Sequence, residues 1–260
     1  MGRSAKVNQS IEQAIDELTA LPPGLSASEV TRRTGISRAT LHRIAEGAVI
    51  PSLQTLHELA VVQGKEIEIR LKPLSDPHAA AAARVIIDGD GGAWSGDEAT
   101  QRWVERLDRL ARSSDGDYLA ILHAAGRASS LLHRTGAVFM RGDNGPLRLA
   151  SAGDASGGTW AISGKAALEV SPDNPVAGPS VLWVDDVERA ASLLSETHKR
   201  VTASANAHVI IAEANPSTYI GEYAVGALRY VAPLQMLLDC VGLGGRQEEI
   251  AMSIAKEWSR

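Results

Sequence analysis

Cysteine occurs once in this chain of 260 residues, at Cys240. An intramolecular disulfide is therefore excluded, and so is a zinc site built on several thiolates. Aromatic residues make up only 4%, with a single phenylalanine, Phe139. No stretch approaches the ~20 apolar residues that cross a bilayer. The opening residues, MGRSAKVNQSIEQ, hold no apolar segment of the signal-peptide kind. A cytoplasmic location without membrane contact is the expectation. An excess of positive charge is missing as well, since the formal net charge is −5. Polybasic, histone-like classes are excluded, and any attraction for nucleic acid has to come from a local cluster.

Such a cluster is present. Residues 1–75 hold nine Lys and Arg against eight Asp and Glu, so the acidic excess lies in the remainder. Arg32, Arg33, Arg38 and Arg43 fall within the stretch Gly24 to Gly64, GLSASEVTRRTGISRATLHRIAEGAVIPSLQTLHELAVVQG. Two short helical patterns meet there at Thr34-Gly35-Ile36. Gly35 takes the positive φ that ends a helix at no steric cost. Ser37 precedes the second pattern and can accept from a free N–H of its first turn. In the helix that follows, Leu41 and Ile44 are three apart and face inward. Arg38, Ala39, His42 and Arg43 are left outward. Two helices joined by a tight turn, the second presenting polar side chains, is the layout of a helix-turn-helix that enters the major groove.

This stretch resembles the Cro/repressor-type (XRE) helix-turn-helix family. The shared features are Gly24-Leu25-Ser26, Val30, Gly35-Ile36-Ser37-Arg38, Thr40-Leu41, Arg43-Ile44, Gly47, Pro51-Ser52-Leu53 and Thr55-Leu56. The family often has Gln where this chain has Ala27, and a small Ala where it has Thr31. It often carries Lys or Arg in the loop written here as Glu46-Gly47-Ala48-Val49. The resemblance implies base contacts from Arg38, Ala39, Thr40, His42 and Arg43, and backbone contacts from Ser26, Ala27, Arg33 and Ser37. The implied partner is a double-stranded DNA operator, read by a homodimer.

The rest of the chain reads as alternating patterns. Ser10 to Leu21 has helical spacing, and Pro22-Pro23 stops it. Glu66 to Leu71 alternates polar and apolar, which predicts one added strand able to pair with its copy in a dimer. Ser75 to Gly96, with its alanine run and DGDGGAWSGD, reads as a linker. Asp88-Gly89-Asp90-Gly91 lacks the further ligands of a calcium loop and reads as a turn. Glu98 to Arg112 and Tyr118 to Leu132 are expected helices. Ala124-Ala125-Gly126 in the second allows close packing. Ala137 to Met140, Val181 to Val184, His208 to Ala212 and Tyr223 to Val231 are expected to be extended. Trp160 to Leu168, Asp186 to Leu194, Leu234 to Val241 and Arg246 to Trp258 are expected to be helical. Gly153 to Gly158 reads as a loop.

This part also resembles a known family. Its carriers are Trp160 to Leu168, Val181 to Asp186, Arg229 to Asp239 and Gly244 to Ala251. They are similar to the AbiEi-type antitoxin and regulator family of type IV toxin–antitoxin systems, over residues 130–258. The resemblance implies a DNA-binding module joined to a regulatory or dimerisation domain. The usual module in that family is a winged helix, whereas this chain carries a Cro-like stretch. The expected fold class is α+β: an all-α Cro-like helix-turn-helix domain plus one strand at 1–74, a linker at 75–96, and an α/β domain at 97–260. The expected function is a sequence-specific transcriptional regulator, a repressor acting as a homodimer on a palindromic operator. The alternative is an antitoxin that represses its own operon, with a cognate toxin as partner.

No cofactor and no metal are expected, and no catalytic residues. The one enzymatic alternative is a nucleotidyltransferase-like core using Asp186, Glu188 and Glu213 after Ser163-Gly164, since such cores hold divalent metal on three carboxylates. Competing with it, an acid at a strand end with Glu188 three residues after Asp185 reads as a helix cap. Ser163 lacks a G-x-S-x-G context, and no Gly-Lys-Ser/Thr closes a P-loop. Cys240, beside Leu237, Leu238 and Val241, reads as a packed core thiol.

Overall fold

The computed structural model describes residues 13–69, 71–89, 97–114, 117–143, 145–169 and 176–258. The chain divides into two compact units, Met1–Lys72 and Pro73–Arg260. Helices and one mixed sheet together make it α+β. Among the described residues no helix is long and apolar enough to cross a membrane.

The first unit is helical. Helix α1 covers 13–19. It is followed by α2 (Ala27–Thr34), α3 (Arg38–Ala45) and α4 (Leu53–Val62). Each of the last three starts on a serine. Ser26, Ser37 and Ser52 accept from the backbone N–H groups of Glu29, Thr40 and Thr55, satisfying a donor that the helix itself cannot. Leu18, Val30, Leu41, Leu56, Leu59 and Ala60 form the core. Gln63 Nε2 donates to the Leu18 carbonyl at 2.5 Å and so ties α4 to α1. The strand expected at Glu66 to Leu71 is not formed: residues 65–69 and 71 belong to no ladder. A ladder needs a second strand, and the described residues of this unit supply only helices.

The second unit opens with the segment expected to be a linker. From Pro77 to Ile87 it is instead a helix, α5, and Ala79 to Ala83 are buried in it. Asp76 caps it and Pro77 fills its first turn. Alanine is the best helix former and lets helices approach closely, so a run that looks low in complexity here makes a core element. Asp88 is its C-terminal cap, and residues 90–96, the rest of the expected linker, lie outside the described ones. Helices α6 (Glu98–Ser113), α7 (Tyr118–Ala128), α11 (Pro233–Leu243) and α12 (Gly245–Trp258) complete a bundle with α5. In the crossing of α7 and α11, a Cβ on Gly126 would stand 2.7 Å from Val241 Cβ.

The sheet has the order β4-β1-β5-β3-β2-β7-β6. Its strands are β1 (Val138–Arg141), β2 (Trp160–Gly164), β3 (Ser180–Val184), β4 (Lys199–Val201), β5 (Val209–Glu213), β6 (Tyr223–Val225) and β7 (Leu228–Tyr230). The pairs β3–β5 and β2–β7 are parallel and the other four antiparallel. Helices α8 (Pro146–Ser156) and α10 (Val187–Leu194) cover one face through Leu149, Ala152, Ala190 and Leu194. Ala161, Val181, Trp183 and Ile210 meet the other face's neighbours.

Two expectations are corrected here. Trp160 to Leu168 is strand β2 followed by the single turn α9 (Lys165–Leu168), not one helix. Every residue of β2 is buried, so both faces are apolar and the alternation that marks a strand is lost. Gly153 to Gly158 is not a loop throughout, because α8 runs to Ser156. Gly153 sits inside that helix where a Cβ would come within 2.5 Å of the Trp160 ring, so glycine lets α8 press onto the sheet.

Candidate nucleic-acid interface

Helices α2 and α3 are joined by Gly35-Ile36-Ser37. Gly35 has φ of 74° and its N–H donates to the Thr31 carbonyl, closing α2. Ser37 then turns the chain into α3, with its Oγ accepting from Thr40 N–H and lying 2.9 Å from Thr40 Oγ1. Leu41 and Ile44 are buried, which fixes the rotation of α3. The remaining face follows from that rotation. Arg38, Ala39, His42 and Arg43 are exposed and Thr40 is half-buried. Ser26, Ala27, Arg33 and Ser37 are exposed as well.

The polar groups are not independent of one another. Arg38 donates from Nη2 to Ser28 Oγ, which links α3 to α2. Arg33 Nε donates to Glu29 Oε1 at 2.7 Å, and Arg32 pairs with the other oxygen of the same carboxylate. These hydrogen bonds, from Arg32 first and then Arg33, hold the Glu29 carboxyl below its ordinary pKa. On α3, His42 Nε2 lies 3.3 Å from Glu46 Oε1. So Arg38 and Arg43 stand on the outward face of α3, and among the described residues no acidic side chain pairs with either, while Arg33 is drawn along its own helix toward Glu29. Ser28 and Glu29 were not singled out from the sequence. The spacing of Glu29 and Arg33, four apart on a helix, carried the signal.

No family model matches the chain, and no curated protein or solved structure matches it either.

The three carboxylates of the enzymatic alternative are not brought together. Asp186 caps α10 by accepting from Arg189 N–H at 3.0 Å. Glu188 is exposed and pairs with Arg200 at 2.7 Å. Glu213 closes β5 and is exposed. Among the described residues no group of three His, Cys, Asp or Glu is placed to hold a metal ion. Ser163 is wholly buried in β2. Cys240 is buried in the helical bundle, and burial pushes its thiol pKa well up, which keeps it protonated.

Proposed function

We propose that this protein is a sequence-specific DNA-binding regulator, not an enzyme, that represses transcription as a homodimer on a palindromic operator. In this reading α2, the Gly35 turn and α3 form a helix-turn-helix, and Pro73–Arg260 is the domain that pairs or controls two copies of it. One observation carries the reading. The burial of Leu41 and Ile44 leaves Arg38, Ala39, His42 and Arg43 together on the exposed face of α3. Arg38 and Arg43 can each address guanine O6 and N7 with two donors, and Ala39 or Thr40 can meet a thymine methyl. Ser26, Ala27, Ser37 and Arg33 flank that face and suit phosphates, which position the protein without reading sequence.

The test is selection of bound duplexes from a random DNA pool by the full chain. Enrichment of one two-fold symmetric sequence is expected. Arg38→Ala and Arg43→Ala should each cost about 1–3 kcal/mol at a guanine and relax preference at that base pair. No enriched sequence, or unchanged preference in both variants, overturns the proposal.

A further inference from the structure

Arg38 and Arg43 share the outward face of α3, but they are not held alike. Arg38 is the first residue of the helix, and its Nη2 donates to Ser28 Oγ. Ser28 is the second residue of α2, so the bond crosses the Gly35 turn from one helix to the other. Arg43 lies in the last turn of α3. Among the described residues no hydrogen bond or ion pair holds its side chain.

The helices themselves gain little from the Arg38–Ser28 pair. A cation in the first turn stands at the positive end of the helix dipole, whereas Arg43 stands at the favourable end. Ser28 is not the cap of α2 either, because Ser26 fills that place by accepting from Glu29 N–H. What the pair supplies is direction. An arginine side chain is long and rotatable, and fixing it on binding opposes affinity. Its guanidinium is planar, so a hydrogen bond at one nitrogen sets where the remaining donors point. One N–H is used on Ser28 and a two-donor edge is left for guanine O6 and N7. The ordering that Arg38 needs is therefore in place before DNA arrives, while Arg43 has to be ordered on the base.

We propose that Ser28 is a positioning residue, which holds the Arg38 guanidinium for guanine and so sharpens the preference at the base pair under Arg38. The proposal rests on the DNA-reading function above and names a residue of α2 that sets its specificity. Ser28 touches no base in this role and acts through Arg38 alone.

The test uses the full chain. Without DNA, nitrogen-15 relaxation of the arginine Nε–H groups should show Arg38 restrained and Arg43 mobile. Ser28→Ala should make Arg38 as mobile as Arg43. On the selected operator, the base pair belonging to each arginine is the one where its alanine variant relaxes the preference. Ser28→Ala should lower the preference at the Arg38 base pair by about 2- to 10-fold. The Arg43 base pair and the salt slope should stay as they are. Ser28→Thr keeps the hydroxyl and should keep the preference. Added to Arg38→Ala, Ser28→Ala should change nothing further, since the two residues act as one unit. A role in folding alone would lower both base pairs together and would persist without Arg38. Equal mobility of Arg38 and Arg43 in the unaltered protein, an equal loss at both base pairs, a loss that persists in Arg38→Ala, or a threonine variant as relaxed as the alanine variant overturns the proposal. The two readings fail in different ways. No selected sequence overturns the regulator, and the role of Ser28 with it. A selected operator that Arg38→Ala reads loosely and Ser28→Ala reads as before overturns the role of Ser28 alone.

Discussion

The Trp183 indole donates from Nε1 to Asp239 Oδ2 at 2.9 Å and so pins the centre of the sheet to α11. Gln235 Nε2 donates to the other oxygen, also at 2.9 Å. The carboxyl is buried, and burial raises its pKa above the ordinary value, while the hydrogen bonds from Trp183 and Gln235 oppose the rise without cancelling it. The folded chain therefore holds this proton more tightly than the unfolded chain does. Stability from that preference is complete below the unfolded carboxyl pKa, about 3.9, and is lost as pH rises through the elevated folded value. Asp239→Asn keeps the shape and removes the titration. Thermal unfolding from mildly acid to neutral pH should show the variant gaining on the unaltered protein as pH rises. A pH-independent difference between the two would rule the assignment out.

Asp76 holds the start of α5 and the side of α6 with one carboxylate. Its Oδ1 accepts from His78 N–H at 3.0 Å and its Oδ2 from Trp103 Nε1 at 2.8 Å. Asp76→Ala removes a helix cap, a loss of about 1 kcal/mol. It also strands a buried indole N–H, which costs about 1–3 kcal/mol more. Denaturant unfolding should therefore show a loss of roughly 2–4 kcal/mol from these two terms. Asp76→Asn, which keeps one acceptor, should fall between. An Ala variant as stable as the original would mean that α5 is not anchored through this residue.

What could be read in advance follows the physics of one-sided burial. Helices α2, α3, α6 and α10 each bury a single stripe, so their periodicity was visible, and Ser37 marked the start of α3. The cap of α10 is Asp186, one residue after the Asp185 that the strand end suggested. The outward set on α3 followed from Leu41 and Ile44 in the same way. Elements buried on all sides carried no such mark. Strand β2 looked helical because Trp160 to Gly164 are all interior, and α5 looked like a linker because its alanines are interior too. Strand β4, Lys199–Val201, and the turn between β6 and β7 are too short for a period to declare itself. The pairing of Arg38 with Ser28 spans ten residues and two helices, and no local spacing announces it.

The α7–α11 crossing sets two opposing effects of one methyl group against each other. Gly126→Ala improves helix propensity by about 1 kcal/mol. The added carbon would lie 2.7 Å from Val241 Cβ and Cγ1 and 2.9 Å from the Leu238 carbonyl oxygen. The valine side chain can shift, but the carbonyl belongs to the backbone of α11 and moves only with the helix. Overpacking of this kind costs about 1–3 kcal/mol, occasionally more. The clash with the backbone carbonyl should win, with a net loss of up to about 2 kcal/mol and a lower melting temperature. A variant that melts higher would mean that α11 slides away at little cost.

Glu29 is the side chain that most limits phosphate contact in the proposed interface. It gathers Arg32 and Arg33 on one carboxylate and adds a negative charge on the helix that would face the DNA backbone. Glu29→Gln leaves the Ser26 cap in place, because Ser26 accepts from the backbone N–H of residue 29 and not from its side chain. Both arginines are then released to approach phosphates. Affinity for unrelated duplex DNA should rise, and the slope of log K against log salt should steepen by about one unit for each new phosphate contact. Preference between operator and unrelated DNA should narrow, since the gain is the same for every sequence. Adding Arg33→Ala to Glu29→Gln should remove most of the gain. Fluorescence anisotropy over a salt series separates these outcomes. An unchanged slope in Glu29→Gln would place α2 away from the phosphates, and with it the helix that positions Arg38 and Arg43.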